Sequence, residues 1–261
     1  MYTDGRTGST AICDEIGNHS DLACWQELFT YGANLAFLDG ADLSKMPSIE
    51  QGLADGVLTY EMFRRLCDES TRGHASLSRY FDYLGSKAGS LGKEAFGFKL
   101  LYNHATHWEG DGLLDTLAQR GFAVLHNLRL DFVRKYISGA IASKTGRWNT
   151  RSQVVHREMV VLDPDLCREN SAVSLTRYRK YDADIRAKGF SVLTETYEDF
   201  LDERVNFLNV IFDFLGVELE RVADSDWQKV TPQDLSTLVE NYQDFESLIK
   251  SPMTVQDIVS K

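Results

Sequence analysis

The sequence has few of the residues that build disulfide frameworks and metal clusters. Its 261 residues include four cysteines and six histidines. The cysteines form no CxxC pair, and no histidine stands at a metal-ligand spacing from them. We therefore expect reduced thiols, a cytoplasmic protein and no metal site. The four are Cys13, Cys24, Cys67 and Cys167.

Long apolar runs and an excess of positive charge are also missing. No stretch reaches the roughly 18 apolar residues of a transmembrane helix, and the N-terminus lacks the apolar core of a signal peptide. Lys and Arg number 28 against 39 Asp and Glu, which gives a net charge of −11. A general nucleic-acid-binding domain is basic. The sequence therefore predicts a soluble protein with no integral membrane span and no nucleic-acid partner, although a local basic pocket remains compatible with it.

The residues that are present favour one large α/β domain over residues 1–261. Hydrophobic residues make up 43% and aromatic residues 11% of the chain, which is enough for a sizeable core. There is no repeat, low-complexity segment or linker. Strand-like and helix-like segments alternate, and this predicts a three-layer sandwich with a central parallel sheet flanked by helices. Strands are predicted over 94–102, 122–128 and 190–200, and helices over 10–17, 49–56, 59–71, 112–121, 131–144, 163–189, 202–217 and 231–250, with a helical insertion over about 40–95.

The loop "GRTGST" (5–10) stands at the start of the first predicted helix. Backbone N–H groups at a helix N-terminus, three hydroxyls and the Arg6 charge form an anion site. The lysine of a nucleotide-triphosphate loop is missing before the Ser/Thr. In the plainer interpretation, the pair Ser9 and Thr10 simply caps the helix.

Two further junctions carry polar residues, at 99–108 and 127–138. Ligands of open parallel sheets bind where strands lead into helix N-termini, so neighbouring junctions converge on one crevice. In "NLRLDFVRKYIS", Arg129 leaves a strand and Ser138 follows nine positions later, a pair suited to a second phosphate. The plainer interpretation is a solvated arginine and a surface serine. Arg134 and Lys135 are predicted to be exposed helix charges.

In order along the chain, these segments resemble the sulfotransferase family that uses 3′-phosphoadenosine 5′-phosphosulfate (PAPS), and in particular its bacterial carbohydrate and nodulation-type branch. Each motif is weak alone, and the ordered set is fairly specific. The matching segments are "RTGST" (6–10), "CWQELF" (24–29), "GFKLLY" (97–102), "LHNLRLDFVRKYIS" (125–138), "TYEDFLDERVNFLNVIFDFLGV" (196–217) and "QKVTPQDLSTLVENY" (228–242).

The resemblance implies a P-loop-like sulfotransferase fold and transfer of a sulfuryl group from PAPS to a hydroxyl of a carbohydrate, glycolipid or other small acceptor. No γ-phosphate or Mg²⁺ needs to be bound, which accounts for the absent lysine. Arg129 and Ser138 would hold the 3′-phosphate, and Lys229 and Thr231 would add to the nucleotide pocket. The 5′-phosphosulfate would lie on Arg6, Thr7, Gly8, Ser9 and Thr10.

The resemblance also implies catalytic roles. Arg6 and the loop amides would stabilise the leaving phosphate, and Lys99 would neutralise the bridging oxygen as charge develops there. Glu27 is the expected general base, because related carbohydrate sulfotransferases have a glutamate at the matching place. His104 and His107 are the alternative bases.

The chain departs from the family pattern at its first strand. Only "MYTDG" precedes Arg6, which is too short and too polar for a central strand, so this strand is expected to be shortened or truncated. One alternative is therefore a degenerate sulfotransferase-like binding protein without activity. Another is a P-loop kinase, which predicts a loop lysine and an acidic Mg²⁺ ligand where "FAVLHNL" has Asn127.

The acceptor pocket is expected in the helical insertions, over 40–95 and 146–180. Aromatic side chains there suit stacking on sugar rings or an apolar chain, or else belong to the core. They are Tyr60, Phe63, Tyr80, Phe81, Tyr83 and Trp148.

Overall fold

The computed structural model describes residues 1–31, 57–66, 73–146, 159–227, 234–245 and 248. Within these residues every strand pairing is parallel. The strands are β1 Tyr2–Thr3, β2 Leu22–Trp25, β3 Ala95–Phe98, β4 Leu100–Leu101, β5 Val124–Leu128 and β6 Val192–Thr196. One sheet has the order β4-β1-β5-β6, and β2 pairs with β3. Because only Lys99 separates β3 from β4, the two sheets follow one another along the same layer.

Helices cover both faces of this sheet layer. They are α1 Ser9–Gly17, α2 Tyr60–Leu66, α3 His74–Ser90, α4 Tyr102–His107, α5 Leu113–Gln119, α6 Phe132–Thr145, α7 Pro164–Ala187, α8 Tyr197–Asp202 and α9 Arg204–Leu215. One core cluster joins α2, α3, α5 and α7 to strand residues such as Trp25 and Val124. The other joins α1, α8 and α9 to Leu22 and Leu125 on the opposite face, as expected from the alternation of side chains along a strand. The predicted three-layer α/β sandwich is therefore confirmed.

The expectation of a shortened first strand is confirmed, but the expectation that "MYTDG" is too short and too polar for a central strand is wrong. β1 has two residues, and it lies between β4 and β5, with Tyr2 opposite both Leu100 and His126. The polar Thr3 is fully buried there because its hydroxyl donates to Asn127 O at 2.7 Å. A satisfied hydroxyl costs little on burial.

A cavity lies in the sheet layer beside β1. β1 pairs with Leu100 and Leu101 of β4 and with His126 and Asn127 of β5. Its pairing therefore begins at Leu100 on one side and at His126 on the other. No strand among the described residues lies between β3 and the first half of β5. A cavity of about 600 Å³ occupies this place, and residues from both helical layers line it, including Cys24, Phe96, Leu117, Phe122 and Ile211.

Most predicted helices and strands are confirmed to within about two residues. The strand predicted over 190–200 is wrong at its end: it stops at Thr196, because Thr196 and Asp199 form a capping box that begins α8. The predicted helix over 231–250 is wrong for its described part, where Leu235–Thr237 and Tyr242–Phe245 are separate 3₁₀ helices. The reason is a tertiary contact: Val160 forms a parallel bridge with Val239, so the Leu238 C=O and the Glu240 N–H bond to Val160 and are not available to a continuous helix.

The aromatic residues proposed for the acceptor pocket lie mainly in the core. Tyr60, Phe63, Tyr80 and Phe81 are buried, and their rings pack on one another at centroid distances of 5.3–6.1 Å. The core alternative is therefore confirmed for these four. Trp148 and the predicted helix over 49–56 lie outside the described residues.

Candidate active site

The first loop depends on a glycine in the left-handed conformation. Gly8 has φ +68° and forms the N-cap of α1. A Cβ at this position would lie 2.1 Å from Cε2 of Tyr197, so the loop passes directly over that ring. The prediction that Ser9 and Thr10 cap the helix is wrong, because both lie inside its first turn and no side chain caps it.

The first and third junctions meet through Arg6. Its Nε and Nη2 donate to Ser138 Oγ at 3.1 and 2.7 Å. Nη1 of Arg129 donates to the Arg6 carbonyl at 2.9 Å, and its guanidinium lies 5.0 Å from the Tyr197 ring centroid. Residues that the resemblance assigns to two phosphates therefore form one contiguous cluster.

This cluster concentrates positive charge away from water. Burial, reinforced by the neighbouring Arg129 charge and opposed by Tyr197, lowers the pKa of Arg6 to about 10. Arg129 is largely buried, and its Nε has no hydrogen-bond partner among the described residues. Arginine side chains stay protonated in proteins. A buried Arg129 with this unpaired Nε, next to the half-buried guanidinium of Arg6, favours an anionic ligand.

The Thr7 hydroxyl holds the loop together. Thr7 is fully buried; its Oγ1 lies 2.7 Å from Thr3 Oγ1 and donates to Asp4 O at 3.2 Å. Its carbonyl accepts from Asn127 Nδ2 at 3.0 Å. The Thr7 hydroxyl is already used within the protein. The predicted contact of Thr7 with a ligand therefore stays a prediction, and it concerns the Thr7 backbone only.

The second junction places a buried ammonium group between the loop helix and a carboxylate. Lys99 stands between β3 and β4, and its N–H donates to Trp25 O at 2.9 Å. Its Nζ donates to Thr10 Oγ1 at 3.0 Å and lies 2.8 Å from Glu27 Oε1. The Lys99 side chain is 3% exposed and that of Glu27 33% exposed, so solvent reaches the pair from the carboxylate side.

Glu27 and His104 have complementary protonation states. Burial acts to raise the pKa of Glu27, but the Lys99 charge and hydrogen bond, with a contribution from His104, outweigh it and hold this pKa below its ordinary value. Burial lowers the pKa of His104, against the opposing effect of Glu27. At neutral pH the carboxylate is therefore ionised and the imidazole neutral.

The imidazole of His104 lies beside the carboxylate. Its Nε2 is 3.9 Å from Glu27 Oε2, and its Nδ1 has no hydrogen-bond partner among the described residues. His107 instead stacks on the Tyr31 ring at 3.7 Å between centroids. Tyr31 also meets His104 edge-on at 5.8 Å. The two candidate histidines thus share one aromatic neighbour, and His104 is the one placed against the carboxylate.

The prediction that Lys135 is exposed is wrong. The residue is 9% exposed, and its Nζ lies 2.8 Å from Asp4 Oδ2 and 4.8 Å from the Tyr178 ring centroid. Arg177 also pairs with Asp4, at 3.2 Å. The sequence contains a signal for this, because residues three apart share a helix face and Lys135 precedes the inward-facing Ser138 by three.

Two further side chains fix the junctions and were missed by the sequence analysis. The Glu198 carboxylate accepts from the N–H groups of Leu130 and Asp131, each at 3.1 Å, just before α6 begins. The side-chain amide of Gln26 donates from Nε2 to Thr10 O at 3.1 Å. Both lie in segments that carry the family resemblance, "TYEDF" and "CWQELF", which is the only sequence signal for them.

Some expectations lie beyond this geometry. Lys229 and Thr231 are outside the described residues. Within the described part of the chain, no group of three or more His, Cys, Asp or Glu side chains is placed to hold a metal ion. None of the helices described is both long and apolar enough to cross a membrane.

Comparisons with known proteins give similarity at the level of fold. No protein-family model and no curated protein matches the sequence. Among solved structures, the chain is similar to a sulfotransferase domain from the curacin biosynthetic pathway, with a TM-score of 0.49, 14% identity, and coverage of 84% of this chain and 74% of that one. It is also similar to a sulfotransferase from Alicyclobacillus acidocaldarius, with a TM-score of 0.44, 15% identity and 97% coverage of both chains. At these identities the similarity concerns the fold alone.

Proposed function

We propose that this chain is a sulfotransferase that moves a sulfuryl group from PAPS to the hydroxyl of a small acceptor. The observation that carries the proposal is the meeting of three junctions at one edge of the sheet. Lys99 contacts Thr10 of the loop helix and Glu27, while Arg129 and Ser138 contact Arg6 of the same loop. The ordered family motifs lie on these junctions.

The arginine cluster fits the donor. PAPS carries phosphate groups on both sides of its ribose and, when bound, supplies the activated sulfuryl group. The unpartnered Nε of Arg129 and the guanidinium of Arg6 are donors suited to such oxygens. The backbone N–H groups that follow Gly8 and the positive end of α1 add to the attraction.

Lys99 is the residue we assign to the leaving oxygen. In sulfuryl transfer, as in phosphoryl transfer, negative charge grows on the leaving oxygen, and a fixed cation in a water-poor site stabilises it. The Lys99 ammonium is buried and held by two acceptors, Thr10 and Glu27. It is therefore aimed before the reaction and needs little reorganisation.

Glu27 is the residue we assign to the acceptor proton. Its Oε1 faces Lys99, which leaves Oε2, on the His104 side, to take the proton. A carboxylate whose pKa is lowered is a weak base, so its contribution rests on placement within hydrogen-bond reach of the acceptor hydroxyl. The neutral His104, 3.9 Å away, is the alternative base.

The proposal extends to a carbohydrate or glycolipid acceptor, a cytoplasmic location and turnover without added metal. The Tyr31–His107 stack supports a ring-shaped acceptor, because it offers an aromatic surface next to the His104 side of Glu27.

Neither alternative gains support from the described residues. The degenerate binding protein was favoured by a first strand too poor to hold the loop, yet β1 is central and Thr3 bonds both Thr7 and Asn127. A P-loop kinase would use a carboxylate where Asn127 stands, and this amide donates to Thr7 O.

Thermal unfolding with 3′-phosphoadenosine 5′-phosphate (PAP) tests binding. A ligand that binds only the folded state at about 100 times its Kd stabilises by about 2.7 kcal/mol. We expect PAP to raise Tm and 5′-AMP, which lacks the 3′-phosphate, to raise it much less. ATP with Mg²⁺ serves as the kinase control. No shift with millimolar PAP, or a larger one with Mg·ATP, would overturn the proposal.

A transfer assay with ³⁵S-labelled PAPS and a panel of sugar, glycolipid and phenol acceptors tests catalysis. We expect labelled product with at least one hydroxyl acceptor and without added metal. PAP binding with no transfer to any of them would favour the degenerate binding protein.

A further inference from the structure

Two of the four cysteines face each other in the structure although eleven positions separate them in the sequence. Cys13 lies on α1 and Cys24 on β2. Their Sγ atoms are 2.9 Å apart. A disulfide requires about 2.05 Å between the sulfurs, so a shift of less than about 1 Å would allow the bond to form.

The two thiols differ in access. Cys13 is fully buried, and its Sγ–H donates to Trp25 O at 3.1 Å. Cys24 is half-buried and lines the cavity beside β1. A small oxidant therefore has a route to Cys24, whereas Cys13 is reached only through its partner.

The two thiols also differ in acidity. Burial raises the pKa of Cys13 well above its ordinary value, and the Cys24 neighbour adds to this. The contact with the Cys13 Sγ lowers the pKa of Cys24 and outweighs the effect of its burial, and the Lys99 charge adds to the lowering. Cys24 is therefore the better nucleophile, because the thiolate is the reactive form.

We propose that Cys13 and Cys24 form a reversible intramolecular disulfide when a peroxide reaches Cys24. The Cys24 sulfur attacks a peroxide oxygen, the O–O bond breaks, and Cys24 sulfenic acid and water result. The Cys13 sulfur then attacks the Cys24 sulfur, the S–S bond forms, the S–O bond breaks, and a second water leaves. Two thiols lose two electrons and two protons, and one hydrogen peroxide is reduced to two waters. A dithiol reductant reverses the bond by exchange.

The bond would join the two elements that hold the contacts of Lys99. α1 holds Thr10 three residues before Cys13, and β2 leads to Glu27 three residues after Cys24. The Cys13–Cys24 contact involves protein atoms only. Formation of the disulfide therefore does not depend on the proposed function.

Peptide mass spectrometry of the intact chain tests the proposal. The reduced protein is treated with one equivalent of hydrogen peroxide under native conditions, and remaining thiols are alkylated with N-ethylmaleimide after denaturation. We expect a linked peptide pair containing Cys13 and Cys24 with the loss of two hydrogens, alkylated Cys167, and full recovery of alkylation after dithiothreitol. No linked pair, or a different pair that includes Cys67 or Cys167, would overturn the proposal.

Three variants separate the steps, each with its far-ultraviolet circular dichroism and Tm checked first. In Cys13→Ser we expect a Cys24 sulfenic acid that dimedone traps. In Cys24→Ser we expect Cys13 to remain an unreacted thiol. Cys167→Ser is the matched control, and it should still give the Cys13–Cys24 link. Peroxide reaction at Cys13 in Cys24→Ser, at a rate equal to that of Cys24 in Cys13→Ser, would contradict the assigned order.

Discussion

The candidate site has two halves that handle charge in opposite ways. In the arginine half, Arg129 donates to a carbonyl and lies over a ring, with Nε left over. In the lysine half, Lys99 meets the carboxylate of Glu27 at 2.8 Å. The arginine half is therefore arranged to receive negative charge from a ligand. The lysine half is already neutral, and it can shift charge and protons within itself.

The two halves are also held in place differently. The arginine half is fixed by backbone contacts, including Arg129 to Arg6 O and Glu198 to the N–H groups before α6. The lysine half depends on side-chain contacts, with Lys99 joined to Thr10 and Glu27. Substitutions in the first half should therefore change mainly donor affinity, and substitutions in the second mainly turnover.

Removing the Lys99 charge should have the largest effect. We expect Lys99→Met, which keeps most of the aliphatic stem, to lower kcat by about 10²–10³-fold, the usual cost of losing one such charge-stabilising donor. PAP affinity should change by only a few-fold. Steady-state kinetics and calorimetric titration measure the two quantities. Lys180→Ala, an exposed lysine on α7, is the control. An equal loss of affinity and rate would remove the distinction between the halves.

Gly8→Ala should disrupt the loop that both halves share. Left-handed backbone at a non-glycine residue costs of order 1–3 kcal/mol, and the new Cβ would overlap Tyr197. We expect a fall in Tm of about 2–4 °C for each kcal/mol lost, with PAP binding also weakened. Gly5→Ala is the matched control, since nothing lies within 4 Å of its Cβ position. Equal Tm values for the two variants would contradict the loop geometry.

Arg129→Ala should weaken the donor site without changing acid–base behaviour. Hydrogen bonds to charged groups contribute about 1.5–3 kcal/mol, which corresponds to about a 10–100-fold higher Kd for PAP. The preference for PAP over 5′-AMP should shrink by the same factor. Exposed Arg168→Ala, measured by the same titration, should bind like the wild type. A lost preference in Arg168→Ala, or an intact one in Arg129→Ala, would reassign the 3′-phosphate contact.

The pH dependence of the wild-type rate should show whether Glu27 or His104 is the base. The pKa of Glu27 is lowered from 4.5, so its carboxylate stays active down to below that value and activity falls only as pH passes through the lowered pKa. If His104 were the base, activity would fall as pH passes through a pKa that burial lowers from 6.5.

Two variants show which residue causes the loss of activity at acidic pH. Glu27→Gln should remove this pH dependence together with most of the turnover, and His104→Gln should leave the pH dependence in place. The same sign applies to stability: the contribution of the Lys99–Glu27 pair is present above the unfolded-state pKa of the carboxyl group and is lost as pH falls through its folded-state value. Denaturant titrations at several pH values check this. A pH dependence that changes only in His104→Gln would assign the base to the histidine.

The sequence was sufficient for the fold but only for part of the site. Periodicity and end signals, such as Asp163 before Pro164, located the helices because those signals are local. The family resemblance selected Arg6, Lys99 and Glu27 as residues of the candidate site. The spacing of three from Ser138 indicates that Lys135 faces inward, but it does not identify Asp4 as the partner. That pairing and the meeting of Cys13 with Cys24 depend on how distant elements pack, and local pattern does not contain that information. Thr3 shows the same limit, since its burial is permitted by a carbonyl more than a hundred residues away.

Calorimetric titration of the wild-type chain with PAP and with 5′-AMP shows whether the arginine half receives the donor. We expect saturable binding of PAP at one site per chain, at least about tenfold tighter than that of 5′-AMP, which is a difference of about 1.4 kcal/mol. Equal binding of the two nucleotides, or no heat with either, would contradict this expectation.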